Sequence, residues 1–203
     1  MISKGTTDNV TQEDDQQLMK ISGSILNKTA LCVMLLGLSV GASAKPHPAA
    51  ADHGGDTVNV KIVNAQGAEI GTATLTQNHD AVRLHVEAKN LPPGMHGIHF
   101  HETGKCEGPK FESAGAHLNP NKKQHGFNNP KGFHVGDLPN IQVAADGTVK
   151  VDIETKIVTL EPNKPNSLKK PGGTALVIHA QADDYKTDPS GNSGDRIACG
   201  VIQ

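Results

Sequence analysis

Tryptophan is absent from the chain, and aromatic side chains of any kind are rare: one tyrosine and four phenylalanines in 203 residues. The core must therefore be built from valine, isoleucine, leucine and alanine. Long apolar runs are missing too. The longest, Thr29–Val40, covers about 12 residues, short of the roughly 20 that a membrane-spanning helix needs. Neither charge dominates, the formal net charge being -2, which argues against nucleic acid or an anionic membrane as the main partner. Cysteine is scarce, with three in the chain, and no long segment repeats its apolar residues at helical spacing.

Residues 1–44 read as an N-terminal extension and secretory signal peptide, the signal proper being about 19–44. Met19 and Lys20 open it, the apolar run follows, and Ala42-Ser-Ala44 supplies the small residues of a cleavage site. The acidic stretch before it (Asp8, Glu13, Asp14, Asp15) makes a poor signal start, which leaves Met1 and Met19 both open as the beginning. Residues 45–56 read as a flexible leader, in which His47 and His53 are candidates for capturing metal. Residues 57–203 then form one domain of ordinary size. Export to the periplasm, the cell surface or the medium leaves two cysteines, Cys106 and Cys199. An even pair in an exported chain reads as a disulfide.

The domain shows short alternating runs. Val58, Val60 and Ile62 share one face of 57–63, Val82, Leu84 and Val86 repeat the pattern, and Val149, Val151 and Ile153 repeat it again. Turn signals separate the runs at Asn64-Ala-Gln-Gly67, Gln77-Asn-His-Asp80, Pro92-Pro-Gly94 and Asp146-Gly147. Many short strands with regular turns mean a sandwich or a barrel. Residues 102–140 and 181–196 break the rhythm; they are rich in Gly, Pro, Asn, Lys and His. Loops of that length in a compact domain are usually functional.

Those loops and the strands beside them hold a distinctive set of side chains: His99, His101, His117, His125, His134, Asp137 and His179. Imidazole suits copper and zinc, and one aspartate oxygen among imidazoles suits a four-coordinate zinc. In Gly97-Ile-His-Phe-His101 the histidines are two apart, so in a strand they point the same way while Ile98 and Phe100 pack behind them. His117, His125, His134 and Asp137 follow on irregular chain that can wrap an ion, and His179 ends the apolar run Thr174–Ile178. A lone His-x-His pair is weak evidence; the whole set in one domain reads as a dinuclear metal site.

Longer motifs carry a resemblance. Gly97-Ile-His-Phe-His-Glu-Thr-Gly104 with Cys106, Ser113-Ala-Gly-Ala-His-Leu-Asn-Pro120, Lys123-Gln-His-Gly126, His134-Val-Gly-Asp-Leu138 and Gly191-Asn-Ser-Gly-Asp-Arg-Ile-Ala-Cys-Gly200 occur in order and at the right spacing. On them the chain resembles secreted, bacterial-type copper/zinc superoxide dismutases over nearly all of 57–203. The resemblance implies an all-β fold, an eight-stranded antiparallel Greek-key barrel or sandwich with two long functional loops. It implies copper on His99, His101, His117 and His179, and zinc on His117, His125, His134 and Asp137, with His117 shared and acting in proton delivery. It further implies Asp183, rather than its neighbour Asp184, as the carboxylate linking His99 to His125. Arg196 becomes the positive charge at the copper mouth and Cys106–Cys199 the family disulfide. Ser190 aligns with a residue of the channel, and His96 with a structural histidine. Where the family usually has Phe and then Val or Ile, this chain has Ile98 and Phe100, an exchange that keeps one aromatic and one aliphatic residue.

The expected substrate is superoxide and the expected cofactors are one copper and one zinc per subunit, in a monomer or homodimer without stable membrane insertion. A copper or zinc store or carrier would use the same imidazoles without turnover, but it has no need of Arg196. A structural domain keeping zinc alone would have lost copper ligands, and none is lost. Lys186 and Lys170 read as solvated, and His79 and His85 as turn and strand-face residues.

Overall fold

The computed structural model describes residues 55–203. The signal segment and the leader as far as residue 54, with His47 and His53, lie outside the described residues. Nine strands follow in chain order: β1 (Thr57–Asn64), β2 (Glu69–Asn78), β3 (Ala81–Ala88), β4 (Gly94–His96), β5 (Ile98–His101), β6 (Ile141–Val143), β7 (Val149–Thr155), β8 (Thr174–His179) and β9 (Arg196–Ile202). Seven of them form one sheet in the order β5-β8-β9-β1-β2-β3-β7, and β4 pairs with β6. Every pairing between them is antiparallel. The short β4–β6 ribbon links the two edges of the large sheet, because β4 runs into β5 across Gly97 and β6 leads through the Asp146-Gly147 turn into β7.

The expected eight strands thus become nine through one residue. Gly97 is unpaired with β6; its N–H donates to the Gln181 carbonyl and its carbonyl accepts the His179 N–H. The expected all-β barrel architecture holds, and among the described residues no helix is long and apolar enough to cross a membrane.

Alternation sets the faces. In β3, Val82, Leu84 and Val86 are buried while Arg83 and Glu87 are exposed. The β2–β3 hairpin turns on His79 and Asp80, with His79 at φ 49°, so His79 is a turn residue as its sequence suggests. Inside lie Val60, Ile62, Leu75, Leu84, Ile98, Phe100, Leu176 and Ile178, an aliphatic core with Phe100 as its aromatic member.

β8 is buried on both faces. Leu176 and Ile178 join the barrel core, while Ala175 and Val177 pack with Phe111, Ala114 and Cys199 in a second cluster outside it. That second layer explains why Thr174–Ile178 reads as an unbroken apolar run. The Cys106–Cys199 disulfide sits at its margin and ties the chain after β5 to β9. One long connection was not foreseen: residues 156–173 cross from β7 to β8 and bury their own Val158, Leu160 and Leu168 in the core. The Gln77 side-chain oxygen holds this crossing by accepting from Thr159 Oγ1 (3.0 Å) and the Leu160 N–H (2.8 Å).

Two outcomes follow from this framework. Cys106→Ser removes a cross-link between residues 93 apart, which the chain-entropy model values at about 4–5 kcal/mol. The urea midpoint of the variant should fall by a corresponding amount, and an unchanged midpoint would contradict the role given to the bond. On the outer face of β3, His85 lies between Glu87 (3.1 Å) and Asp152 (2.8 Å). Their hydrogen bonds, Glu87's first, raise its pKa above 6.5. A raised pKa stabilises the fold fully below the unfolded value and loses that effect as pH rises through the folded one. The stability gap between the wild-type protein and His85→Gln should therefore be widest near pH 6 and narrow towards higher pH; a gap independent of pH would refute the account.

Candidate metal centre

β5 puts His99 and His101 on the outer face of the barrel and Ile98 and Phe100 in the core. As the outermost strand of the large sheet, β5 has one backbone edge left for the chain that follows it. That chain returns along it: Leu118 N–H donates to Phe100 O, Phe100 N–H to Gly136 O, and Gly136 N–H to Leu118 O. These bonds set His117 opposite His101 and Asp137 opposite His99. The approach requires glycine at 136, where a Cβ would stand 2.2 Å from the Phe100 carbonyl oxygen. His179 arrives from the end of β8, where a register shift after Ile178 brings it opposite Arg196.

Six of the sequence-designated histidines and Asp137 are buried in one place. Donor atoms of His99, His101, His117 and His179 lie within 4.8 Å of one another, as do those of His99, His117, His125 and Asp137. On the second side, Asp137 Oδ1 stands 3.0 Å from Nδ1 of both His117 and His125. His134 Nδ1 completes that side, 3.5 Å from the same oxygen and 3.4 Å from His117 Nδ1. His99 neighbours both groups by distance, but its Nε2 is committed elsewhere.

The protonation pattern tests whether metals fit. His99 Nε2 donates to Asp183 Oδ2 (2.8 Å) and His125 Nε2 to Asp183 Oδ1 (2.9 Å). His101 Nδ1 donates to Gly115 O (2.9 Å), and His179 Nδ1 to Gly194 O (3.1 Å). For His99, His101 and His179 this bond fixes the N–H on the outer nitrogen and leaves the inner one as a bare lone pair, whereas the inner Nδ1 of His125 faces the Asp137 carboxylate. His101 and His179 then face each other across 3.4 Å through their inner Nε2 atoms. His99 Nδ1 and His117 Nε2 are buried without any partner. Orphaned buried lone pairs are costly in a native core, and these two point where a cation would satisfy them. His117 alone has one nitrogen toward each donor group.

Burial agrees with that state. It lowers the pKa of His99, His117 and His179 to about 4, and that of His101 well below the ordinary histidine value, so these rings stay neutral at neutral pH. His125 differs: burial pulls its pKa down, but hydrogen bonds to Asp137 and Asp183 outweigh it and carry the value up to about 9. Both carboxylates are held below their ordinary range. Burial opposes this, but hydrogen bonds from His117, His125, His134 and Gly126 prevail at Asp137, and those from His125, His99 and the Tyr185 N–H at Asp183.

Arg196 begins β9, its guanidinium donating Nη1 to Phe111 O and Nη2 to Gly115 O, both at 2.7 Å. Partial burial lowers its pKa without bringing it near neutrality. His96 is buried outside the donor groups, with Nδ1 2.8 Å from His179 O and Nε2 2.7 Å from Pro92 O. Lys186 is exposed, while Lys170 and Ser190 are half-buried. Sequence reasoning missed three contributors. Asn140 clamps Asp183 at both its N–H (2.8 Å) and its carbonyl (2.9 Å). Asp188 caps the His125 N–H at 2.6 Å. Gly191, at φ 64°, leaves the space that Asp183 fills, since a Cβ there would lie 1.8 Å from Asp183 Oδ1. Only Gly191 had a sequence signal, standing at the head of the motif before Arg196.

Comparisons with known proteins agree with this geometry. The family described as copper/zinc superoxide dismutase (SODC) matches residues 69–202. Superoxide dismutase (Cu-Zn) 1 of Aquifex aeolicus is 49% identical over 175 residues, covering 86% of this chain and 96% of that one. A crystal structure of a double mutant of a SOD-like protein from Bacillus subtilis is 46% identical with a TM-score of 0.69, covering 71% of this chain and 95% of that one. The Cu/Zn superoxide dismutase from Brucella abortus is 30% identical with a TM-score of 0.60, covering 73% of this chain and all of that one.

The Gly191 contact gives a direct check. Gly191→Ala should push Asp183 off His125 and weaken zinc binding by on the order of 10–100-fold, read by chelator competition, with the far-ultraviolet circular dichroism unchanged. Zinc affinity equal to that of the parent would refute the close fit.

Proposed function

The chain belongs to the copper/zinc superoxide dismutase family, and on that premise we propose that His99, His101, His117 and His179 hold the copper, that His117, His125, His134 and Asp137 hold the zinc, and that His117 joins the two. Dismutation of superoxide to dioxygen and hydrogen peroxide is the family's activity, and this chain is an enzyme of that type. The observation that carries the ligand assignment is the pair of buried, partnerless nitrogens, His99 Nδ1 and His117 Nε2, beside the outward-facing nitrogens of His99, His101, His125 and His179, which are all engaged.

When bound, copper supplies one-electron redox cycling, and zinc, which has no redox chemistry, supplies fixed positive charge on the far side of His117. The protein's own groups do the rest. His117 Nε2 is the atom at which a proton can be held beside the reacting anion, because Nδ1 of that ring faces Asp137 and the zinc-side donors. Asp183 keeps the His99 and His125 rings in one orientation and raises their basicity. Arg196 offers a guanidinium that cannot lose its proton, aimed by two carbonyls and opposite His179 across β8 and β9. It is the docking charge for a small anion. Cys106–Cys199 supports the reading of residues 1–44 as a signal and of the protein as exported, since such bonds persist in oxidising compartments.

Superoxide decay followed by stopped flow on protein loaded with both metals tests this. Superoxide dismutases are among the enzymes that reach the diffusional ceiling of about 10⁸–10⁹ M⁻¹s⁻¹. A rate in that range, falling as salt is added, is expected. Arg196→Ala should lose on the order of tenfold or more and most of the salt dependence, with Arg196→Lys intermediate. Bound copper without turnover would leave a metal store or carrier as the function.

A further inference from the structure

Each ligand ring proposed above, apart from the shared His117, has a second nitrogen facing away from its metal, and all but one of these has an acceptor in place. His99 and His125 use Asp183, His101 uses Gly115 O, and His179 uses Gly194 O. His134 Nε2 is the exception and has no hydrogen-bond partner among the described residues. What stands opposite it is the carboxylate of Asp188, with Oδ1 3.8 Å away. The same Oδ1 accepts the His125 backbone N–H at 2.6 Å. Asp188 belongs to the connection between β8 and β9, so it meets the two zinc-side histidines from the opposite loop.

We infer that Asp188 is a positioning residue of the zinc side, pinning the His125 backbone and taking the Nε2–H of His134 when Nδ1 of that ring holds the ion. The inference rests on the zinc assignment proposed above and extends it to a residue outside the ligand set. Its chemistry is that of a carboxylate–histidine–metal relay. An acceptor on the outer nitrogen selects the tautomer, holds the ring plane and makes the inner nitrogen a better donor. The gap is small enough to close by rotation of a partly exposed side chain, Asp188 being 45% accessible where His134 is 7%. Three carboxylates then share the work. Asp137 is the donor, Asp183 orients His99 and His125, and Asp188 orients His134 while joining the loop that bears Asp183 to the loop that bears the zinc ligands.

The test uses the full protein stripped of metal, with Asp188→Ala and Asp188→Asn beside the parent. Zinc affinity is measured by chelator competition, copper affinity in the same way, and the His134 imidazole by long-range proton–nitrogen NMR of the zinc-loaded protein. Asp188→Ala should bind zinc on the order of 10–100-fold more weakly while keeping the copper affinity of the parent. Asp188→Asn, which retains an acceptor, should recover part of the loss. The His134 Nε2–H signal should exchange slowly in the parent and rapidly in Asp188→Ala. Unchanged zinc affinity in Asp188→Ala would overturn the inference. Equal losses of zinc and copper would also overturn it, by showing that the residue serves only the fold. Failure of the zinc assignment itself would be distinguishable: cobalt(II) in the unaltered protein would then lack the absorption of a tetrahedral site.

Discussion

The backbone edge of β5 is the constraint on which the metal centre depends. An open strand edge presents donors and acceptors that must be paired or hydrated, and the chain returning at Leu118 and Gly136 pairs them. Because the pairing has a register, it carries His117 to the level of His101 and Asp137 to the level of His99. A shift of one residue along β5 would send the histidines into the core and Ile98 and Phe100 out to the loops. The packing of Ile98 and Phe100, both fully buried, therefore defends the register, and the hydrophobic core and the donor geometry are two faces of one strand.

Burying so many imidazoles and two carboxylates is costly unless each polar atom finds a partner. The molecule meets most of that demand from its own backbone and from Asp183. Asn140 holds Asp183 by two hydrogen bonds, and Gly191 gives it room. What remains unmet, His99 Nδ1 and His117 Nε2, is what an ion would satisfy. The site is thus organised by hydrogen bonds before any ion enters, so that ion binding and fold stability reinforce each other.

Much of this was legible in the chain, and what was not has identifiable causes. β1, β3 and β7 alternate cleanly, and the donor residues stand in motifs whose spacing survives folding. β2 was not marked as a strand because its inward side chains, Ile70, Ala73 and Leu75, do not keep a period of two, and the register slips between Ile62 and Val63 on its partner. β9 is hidden by a similar slip opposite His179 and by burial of Ala198, Cys199 and Gly200 in succession. The crossing at 156–173 packs Val158, Leu160 and Leu168 at spacings that match neither strand nor helix. Asn140 and Asp188 were invisible for another reason. Asn140 acts through two long-range bonds to Asp183 and Asp188 through one to His125, and nothing in a local pattern announces such bonds.

The position of Arg196 shows how far a charged group can be placed by things other than itself. The slip in the β8–β9 ladder turns it opposite His179. Phe111 O and Gly115 O fix its two terminal nitrogens, and both belong to the chain between β5 and His117. That chain is in turn fastened to β9 by Cys106–Cys199, three residues beyond the arginine. The guanidinium, the disulfide and the Phe111 cluster under β8 therefore form one closed circuit between the two loops. Freeing any member loosens the others, whereas a lysine could keep the charge but would not make the two-pronged contact that planar guanidinium geometry allows. The charge that would meet an anion is held by backbone carbonyls, and its direction is a property of the loop architecture as much as of the residue.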